Sequence, residues 1–400
     1  MRPRVVITGI GPVSNIGTGV TEFADALRAG RSGIGPIESF DATGFERTRA
    51  GEVRGFEPGE LLTRLSEEDW GRSSLFAAAA ARLAVTDADL TPPDGRTAVV
   101  IGTTGGELVP LVDMAESWYH NGFDTPDRDL ANKLPGSRLA IAVGAELGVR
   151  CEAVTLGTAC AAGNYAVGYA SDLIASGAAD VAIAGGADSV GRFFHAGFHR
   201  LGALAGEKCS PFDADRAGML TAEGGIALVL ERLDAAQARG ARIYAEVLGY
   251  GMTCDAAHPV APDADSIARC MRVAHKRSGI TPDQVDYICA HGTGTRTNDL
   301  VESTAARAVF GSRVPPMSSI KSMLGHTMGA ASGFGVAACA LAITDGFLPP
   351  TINHVTPDPE LAGIDPVPNV SRPAGVTITQ NNGFAFGGNN SIVIMGRVEP

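Results

Sequence analysis

The sequence predicts an α/β protein made of two halves in which strands and helices follow one another in the same order. Short apolar runs repeatedly end in glycine, as at 5–11 and 97–106. Small-residue segments that read as helices follow several of these runs, and the order of units begins again near residue 243. Apolar strands that alternate with helices are typical of a largely parallel sheet covered on both faces.

The first half is expected to contain five strands and four main helices. The strands, with their terminal glycine turns, are expected at 5–11, 97–106, 154–157, 180–186 and 226–231, and the helices at 19–29, 66–86, 138–147 and 159–179. Ser66 is expected to cap the long helix, because the acidic residues that follow it suit a first helical turn.

The second half is expected to repeat this order with different spacings. The runs 243–249, 285–294, 316–321, 375–380 and 391–395 correspond in turn to the five strands of the first half. The helix 265–278 follows the first of these runs, and a small-residue helix at 327–343 follows the third. Nothing between 232 and 242 has the composition of a flexible linker, so the halves are expected to pack into one body.

Composition excludes several classes of function. The chain has 400 residues, 45% of them hydrophobic, and a net charge of −12, which argues against a general nucleic-acid-binding protein. Its seven cysteines form no C-x-x-C pair, so neither a zinc site nor a disulfide framework is indicated, and a cytoplasmic protein is expected. The N-terminus has no signal-peptide apolar core, and no apolar run reaches membrane-spanning length. Gly9-x-Gly11 matches the start of a dinucleotide-binding fingerprint, but Pro12 follows it and Ser14 stands where the third glycine belongs. A dinucleotide cofactor site is therefore disfavoured.

Cys160 lies where a strand turns into a helix, in the run Thr-Ala-Cys-Ala-Ala-Gly. A helix start presents free backbone N–H groups and the positive end of the helix dipole, so a thiol there is expected to ionise easily, with a pKa of about 3.5–7.5. Its small neighbours leave room for a bulky group to reach the sulfur. A lone cysteine is more often a small buried hydrophobe, so the prediction depends on partners elsewhere in the chain.

Three glycine-rich strand ends of the second half are expected to meet Cys160. They carry His291 in His-Gly-Thr-Gly-Thr, His326 in Lys-Ser-Met-Leu-Gly-His, and the loop 382–390. Reactants bind outside the carboxyl ends of such strands, so two imidazoles and a thiol are expected to share one cleft. The other histidines have no comparable frame and are interpreted as ordinary core or loop residues.

These four frames, in this order, resemble the elongating β-ketoacyl-acyl-carrier-protein synthases of fatty acid and polyketide assembly. The resemblance extends over essentially the whole chain. It implies the thiolase fold, a five-layered αβαβα duplication. The halves would span 1–240, with the nucleophile, and 241–400, with both histidines, together forming one ketosynthase domain of about 2–398. The implied reaction is a decarboxylative Claisen condensation of an acyl thioester with malonyl-acyl carrier protein.

The resemblance also implies a role for each site residue. Cys160 would carry the acyl group, and His291 and His326 would donate hydrogen bonds to the malonyl thioester oxygen. Lys321 would orient and support the two histidines rather than act as the base. The backbone N–H groups of Cys160 and Phe386 would form the oxyanion hole. The gating loop would include Phe384, Phe386 and Gly387, and the pantetheine contacts would include Thr293, Thr295 and Asn390.

An acidic pair and several departures from the family pattern complete the implied site. Asp299 and Glu302 occupy the place of a structural, sometimes ion-associated, acidic pair, with a surface ion pair as the alternative. Gly335 stands where many relatives have a glutamate that would face Lys321. The carrier-docking helix, often basic, here reads Ser-Glu-Glu-Asp-Trp-Gly-Arg at 66–72. This suggests a dedicated carrier, or a partner subunit that shares the docking.

The implied partners are an acyl carrier protein, which brings its own phosphopantetheine so that no resident cofactor is needed, and a second subunit. That subunit would be an identical chain or a chain-length-factor-like protein, joined through the strand near 180–186. A specialised polyketide or fatty-acyl pathway is favoured over housekeeping fatty-acid elongation. A non-catalytic chain-length partner is disfavoured because it would lack Cys160. A thiolase is disfavoured because the loop 382–390 has no second cysteine, and an initiating synthase because it uses asparagine where His326 lies.

Overall fold

The computed structural model describes residues 3–123 and 128–399. Ten strands form the continuous order of its main sheet in these residues, and an eleventh, Gly17–Thr18, pairs with the first of them. The ten are β1 Val5–Ser14, β2 Thr97–Gly102, β3 Cys151–Leu156, β4 Val181–Asp188, β5 Gly224–Arg232, β6 Ala245–Cys254, β7 Tyr287–Cys289, β8 Met317–Ser318, β9 Ile378–Phe384 and β10 Asn389–Gly396. Short two-residue strands lie at Gly17–Thr18, Gly35–Pro36, Arg49–Ala50, Phe347–Leu348 and Arg372–Pro373.

Thirteen α-helices lie in the same described residues. They are α1 Val20–Ala29, α2 Pro58–Leu61, α3 Arg72–Asp87, α4 Leu108–Asn121, α5 Arg128–Lys133, α6 Arg138–Leu147, α7 Ala162–Ser176, α8 Arg192–Arg200, α9 Leu233–Ala238, α10 Ala264–Ser278, α11 Arg296–Phe310, α12 Lys321–Leu324 and α13 Ala331–Asp345. Single 3-10 turns lie at Ala159–Ala161, Pro282–Gln284, Met328–Ala330 and Pro359–Leu361.

The two halves form the same five-stranded section of sheet. The strand order is β3-β2-β4-β5-β1 in the first half and β8-β7-β9-β10-β6 in the second. Each strand therefore has its counterpart five positions later, which is the order that the sequence predicts. The two sections join only where β1 pairs with β6, at Val6–Glu246 and Ile7–Ala245.

Helices and sheet sections alternate in five layers. Side chains of α3 and α6 pack on the outer face of the first section, and those of α10 pack on the outer face of the second. Between the sections lie α7 and α13, which share one core cluster with strands of both halves. The five-layered duplication is confirmed, and it brings the starts of α7 and α13 face to face.

The sheet is mixed, whereas the sequence predicted a largely parallel one. Strands β2, β3 and β4 are parallel, but β5 runs antiparallel to β4 and β1 antiparallel to β5, and the second half repeats this pattern. All strands except β3 and β6 are wholly or mostly buried. Burial on both faces removes the polar alternation that usually marks an antiparallel strand, so the apolar runs could not show direction.

The predicted start of the long helix at Ser66 is wrong. The helix α3 begins at Arg72, with Gly71 as its N-cap. The Glu107 carboxylate accepts a 2.7 Å hydrogen bond from the backbone N–H of Ser74 and thus caps the helix from a distant loop. A Cβ at Gly71 would lie 2.1 Å from Glu107 Oε2, so only glycine admits this carboxylate.

The strand expected at a subunit contact is also placed differently. Strand β4 lies between β2 and β5, and each of its eight residues is buried, so its backbone has no free edge. The open edge of this section is β3, whose residues are half-buried or exposed. A subunit contact through residues 180–186 is therefore excluded, and β3 is the strand that can pair with another chain.

In the part of the chain that the structure describes, one stretch is long and apolar enough to cross a membrane, Met328–Asp345. It is 89% buried inside the protein, as a helix of the central layer. Its hydropathy therefore reflects a core position between two sheet sections.

Candidate active site

Cys160 lies in a strained turn at the start of α7. The 3-10 turn Ala159–Ala161 precedes the helix, and Ala159 has φ +48°, a left-handed conformation that an alanine rarely adopts. The second half repeats this geometry at Met328–Ala330, where Met328 has φ +50°. By this correspondence Gly329 takes the position of Cys160, so only the first half carries a nucleophile.

The thiol is harder to ionise than the helix start suggests. Burial raises the pKa of Cys160 from its ordinary value of 9.0 to about 11, and the negative charge of Asp188 adds to the increase. Lys321 and the backbone N–H groups of Cys160 and Phe386 lower the pKa, but by less. The predicted low pKa is therefore wrong, because desolvation of the sulfur outweighs the helix start.

We expect alkylation of Cys160 by iodoacetamide to be slow and to increase with pH. A pKa of about 11 instead of 9.0 makes the thiolate fraction at pH 8 about a hundredfold smaller than in the unfolded chain. Mass spectrometry of the Cys160 peptide should show a labelling rate that rises about tenfold per pH unit between pH 7 and 9.5. A labelling rate that has already reached its plateau at pH 8 and rises no further above it would contradict the raised pKa.

His291 and His326 face one another, with ring centroids 5.6 Å apart at 82°. Both are buried, and burial together with the positive charge of Lys321 lowers both pKa values, that of His326 to about 3. The His326 Nδ1 accepts a 3.1 Å hydrogen bond from the Met328 backbone N–H. The proton of this neutral ring therefore lies on Nε2, which is left as a hydrogen-bond donor.

The backbone on both sides of His291 is held by charged side chains. Lys321 Nζ donates a 2.5 Å hydrogen bond to the His291 carbonyl oxygen. The Glu302 carboxylate accepts bonds of 2.8 Å from the N–H groups of His291 and Gly292, and a third of 2.8 Å from Asn382. Lys321 thus acts on the histidine pair through the backbone and through its charge.

Asp299 and Glu302 are completely buried, so they do not form a surface ion pair. Asp299 accepts bonds from the backbone N–H groups of Phe212, at 2.9 Å, and Gly294, at 3.2 Å, with the Arg216 guanidinium 3.6 Å away. Each oxygen of the two carboxylates accepts at least one N–H hydrogen bond, so both negative charges are satisfied by hydrogen bonds within the protein. The two carboxylates thus hold the backbone around His291 and Phe212 through hydrogen bonds, and the surface ion pair is the alternative that the structure contradicts.

We expect cation removal to leave the protein unchanged. Dialysis against EDTA in a buffer whose only cation is tetramethylammonium should shift Tm by less than about 1 °C, because N–H donors already satisfy the Asp299 and Glu302 carboxylates. Differential scanning fluorimetry measures this shift. A fall of several degrees that potassium or magnesium reverses would show that the two carboxylates bind a cation.

One cavity of 470 Å³ connects Cys160, His291 and His326 with the surface. Its lining includes Cys160, Phe198, Met219, His291, Thr293, Thr295, His326, Phe384, Phe386 and Asn390. Phe384 is buried with its ring 5.7 Å from that of His291, whereas Phe386 is 41% exposed at the mouth, 6.0 Å from Phe198. Asn390 lines the wall, but its amide already donates a 2.6 Å bond to Asp255.

Two loops that hydrogen-bond to each other border the mouth of the cavity. Gly387 N–H donates to the Pro259 carbonyl oxygen at 2.7 Å, and Asp255 N–H to that of Gly388 at 3.0 Å. Gly387 and Gly388 have φ of +84° and +78°, which only glycine adopts without strain. These two bonds connect the loop that carries Phe386 to the loop that begins at Asp255.

Sequence reasoning missed Asp188, which lies at the end of β4 and is fully buried. It accepts bonds from Thr103 Oγ1 and from the N–H groups of Thr104, Gly105 and Gly329 at 2.7–2.9 Å. It thereby ties the loop after β2 to the start of the second-half helix. An aspartate two residues after a double glycine was the available signal.

Comparisons with known proteins agree with this geometry. Residues 2–236 match the family profile "Beta-ketoacyl synthase, N-terminal domain", and residues 244–355 match "Beta-ketoacyl synthase, C-terminal domain". A 3-oxoacyl-[acyl-carrier-protein] synthase 2 of Synechocystis sp. is 37% identical over 408 residues, which cover 97% of each chain.

Two solved structures extend the comparison, and each is covered completely, as is this chain. One is described as the ishigamide ketosynthase/chain length factor, with 49% identity and a TM-score of 0.98. The other is a type II polyketide acyl carrier protein in complex with its ketosynthase bound to the hexaketide, with 32% identity and a TM-score of 0.90. Because both halves match these profiles and a full-length relative is 37% identical, this chain belongs to the β-ketoacyl synthase family.

Proposed function

We propose that the protein condenses an acyl thioester on Cys160 with malonyl-acyl carrier protein and releases CO2 and β-ketoacyl-acyl carrier protein. The observation that carries this proposal is the meeting of Cys160, His291 and His326 in one cavity that opens to the surface. The thiol supplies a nucleophile, and the two uncharged rings supply donors for a developing enolate. No resident cofactor takes part, because the carrier brings its own phosphopantetheine.

In the first stage, Cys160 attacks the acyl thioester of the carrier. The new C–S bond replaces the bond to the pantetheine sulfur, and the thiol proton ends on that leaving sulfur. The N–H groups of Cys160 and Phe386 both act on the sulfur of Cys160. They are therefore close enough to hold the oxygen of the tetrahedral intermediate.

In the second stage, the malonyl group loses CO2, and the electron pair of the broken C–C bond forms an enolate. His291 and the Nε2–H of His326 donate to the thioester oxygen that becomes negative. Neutral donors suit this task, because they stabilise the charge without protonating the carbanion. The carbanion attacks the acyl carbonyl, and Cys160 leaves as a thiolate that takes its proton from solvent.

The pantetheine arm enters past Phe386 and runs along Thr293 and Thr295. The second subunit pairs along the open edge of β3. Two comparisons support these partners: one similar structure pairs a ketosynthase with a chain length factor, and another holds an acyl carrier protein. We therefore assign the protein to a specialised acyl or polyketide pathway in the cytoplasm, with an acyl carrier protein and a chain-length-factor-like or identical subunit as partners.

Reconstitution tests this function. The purified chain, alone and with a co-expressed chain-length-factor-like subunit from the same genome, is supplied with malonyl-acyl carrier protein and a C2–C10 series of acyl-acyl carrier proteins. Intact-protein mass spectrometry should detect β-ketoacyl-acyl carrier protein. Absence of a malonyl-dependent product with every primer and subunit would overturn the proposal.

Housekeeping fatty-acid elongation is the second candidate, and the 37% identity to the Synechocystis enzyme favours it. The two functions differ in the carrier they accept. The acidic segment 66–72 predicts poor turnover with an acidic housekeeping carrier and efficient turnover with a dedicated one. Equal turnover with both carriers, without a second type of subunit, would favour the housekeeping function.

A further inference from the structure

The starts of the two central helices touch at a pair of glycines. A Cβ on Gly163 in α7 would lie 2.4 Å from the backbone nitrogen of Gly333 in α13. Cys160 lies just before α7, and His326 lies five residues before α13. The crossing at these glycines therefore fixes the distance between a nucleophile from one half and an imidazole from the other.

A buried amide network holds this crossing together. Asn381 of β9 donates bonds of 2.7 Å to the Asn164 side-chain oxygen and to the Ser332 carbonyl oxygen. Asn164 in turn donates to the backbone carbonyls of Asn381, at 3.2 Å, and Ser391, at 3.0 Å. The hydroxyl of Ser332 accepts a 3.0 Å bond from the Asn164 backbone N–H. One side chain of β9 is thus bonded to the first turns of both helices.

The network exists because residue 335 is glycine. A Cβ at Gly335 would lie only 2.1 Å from Asn381 Oδ1. Contacts below about 3.0 Å do not occur between real Cβ atoms and their neighbours, so any side chain at 335 must displace the Asn381 carboxamide. The helix conformation itself does not require glycine there; the room for Asn381 does.

We propose that Asn381, in the space left by Gly335, is a positioning residue that locks Cys160 and His326 in register for carbon–carbon bond formation. The inference rests on the proposed condensing function. Decarboxylation of the malonyl group needs His291 and His326, both from the second half, whereas condensation needs the enolate to meet the acyl group on Cys160. A loosened crossing therefore lets decarboxylation continue but lets the enolate escape by taking a proton from water, which gives acetyl-acyl carrier protein.

The ratio of acetyl to β-ketoacyl product is therefore the measurement. It is taken by mass spectrometry after acylation of Cys160 and addition of malonyl-acyl carrier protein. Asn381→Asp keeps the shape of the side chain but removes both N–H donors, and Asn381→Ala removes the carboxamide. Each should raise the acetyl fraction about fivefold or more relative to the wild type, with acylation of Cys160 changed less than twofold.

Variants at Gly335 test the inference independently. Gly335→Ala should lower Tm and raise the acetyl fraction, because the new methyl group displaces the carboxamide. The double variant with Asn381→Ala removes the clash, so Tm should recover while the acetyl fraction stays high. Ile343→Ala, at the other end of α13 and fully buried, should lower Tm without changing the ratio.

The outcomes separate the two proposals. If the wild type forms no β-ketoacyl product, the proposed function fails. If the wild type condenses but both Asn381 variants keep its product ratio, or lose both products in equal proportion, Asn381 has only a structural role and this inference is overturned. A double variant that recovers the wild-type ratio together with Tm would overturn it as well.

Discussion

Replacing Cys160 with alanine should abolish condensation, with a loss of at least about a thousandfold in the rate of β-ketoacyl product formation. Among the described residues that line the cavity, Cys160 is the one with a thiol, and the other cysteines lie elsewhere in the fold. The variant should also form no acyl-enzyme and no cerulenin adduct. Its histidine pair is intact, so slow decarboxylation of malonyl-acyl carrier protein should persist.

Intact-protein mass spectrometry after incubation with acyl-acyl carrier protein measures the acyl-enzyme directly. Cys270→Ala is the matched control, because that cysteine is also buried but lies on α10, away from the cavity. It should be acylated like the wild type. An adduct that survives in Cys160→Ala, or that disappears in Cys270→Ala, would show that the nucleophile has been assigned to the wrong residue.

The duplicated order of the fold could be predicted because its signals are local. Each glycine-ended apolar run marks a strand and the turn after it. All five pairs of runs correspond to strands in equivalent positions of the two sheet sections. The start of α3 could not be predicted in this way. Its cap is the carboxylate of Glu107, 33 residues from its partner Ser74, so Gly71 acts through a contact that no short sequence window contains.

Some features of the site could likewise be predicted from the sequence, and others could not. Cys160, His291 and His326 lie in short frames that reveal their chemistry, and the fold brings them to one cavity. Lys321, in a frame of the same kind, lies behind the cavity wall and bonds to the His291 carbonyl oxygen. The pKa of the thiol could not be predicted, because desolvation depends on how closely the surrounding layers pack. Gly335 was visible in the sequence as a missing carboxylate, but its purpose appears only when Asn381 is seen to occupy the space.

Replacing His326 with alanine should lower the rate of condensation by about 10²–10³-fold, the usual cost of removing one donor from a developing oxyanion. The ring is neutral, and Met328 N–H fixes its tautomer, so alanine removes the Nε2–H donor and leaves that backbone N–H without a partner. Acylation of Cys160 should change less than tenfold, because its oxyanion donors are backbone groups. Stopped-flow assays of the two half-reactions separate these effects.

The pH dependence distinguishes this role from that of an ionised histidine. Because burial lowers the pKa of His326 to about 3, the ring keeps its neutral form at every pH above about 4. The wild-type condensation rate should therefore show no loss around pH 6.5 from protonation of His326. His326→Asn keeps an N–H donor and should recover part of the rate lost in the alanine variant, and His120→Ala, exposed on α4, should behave like the wild type. An acid limb near pH 6.5 that disappears in His326→Asn would mean that the histidine titrates there and works as a general base.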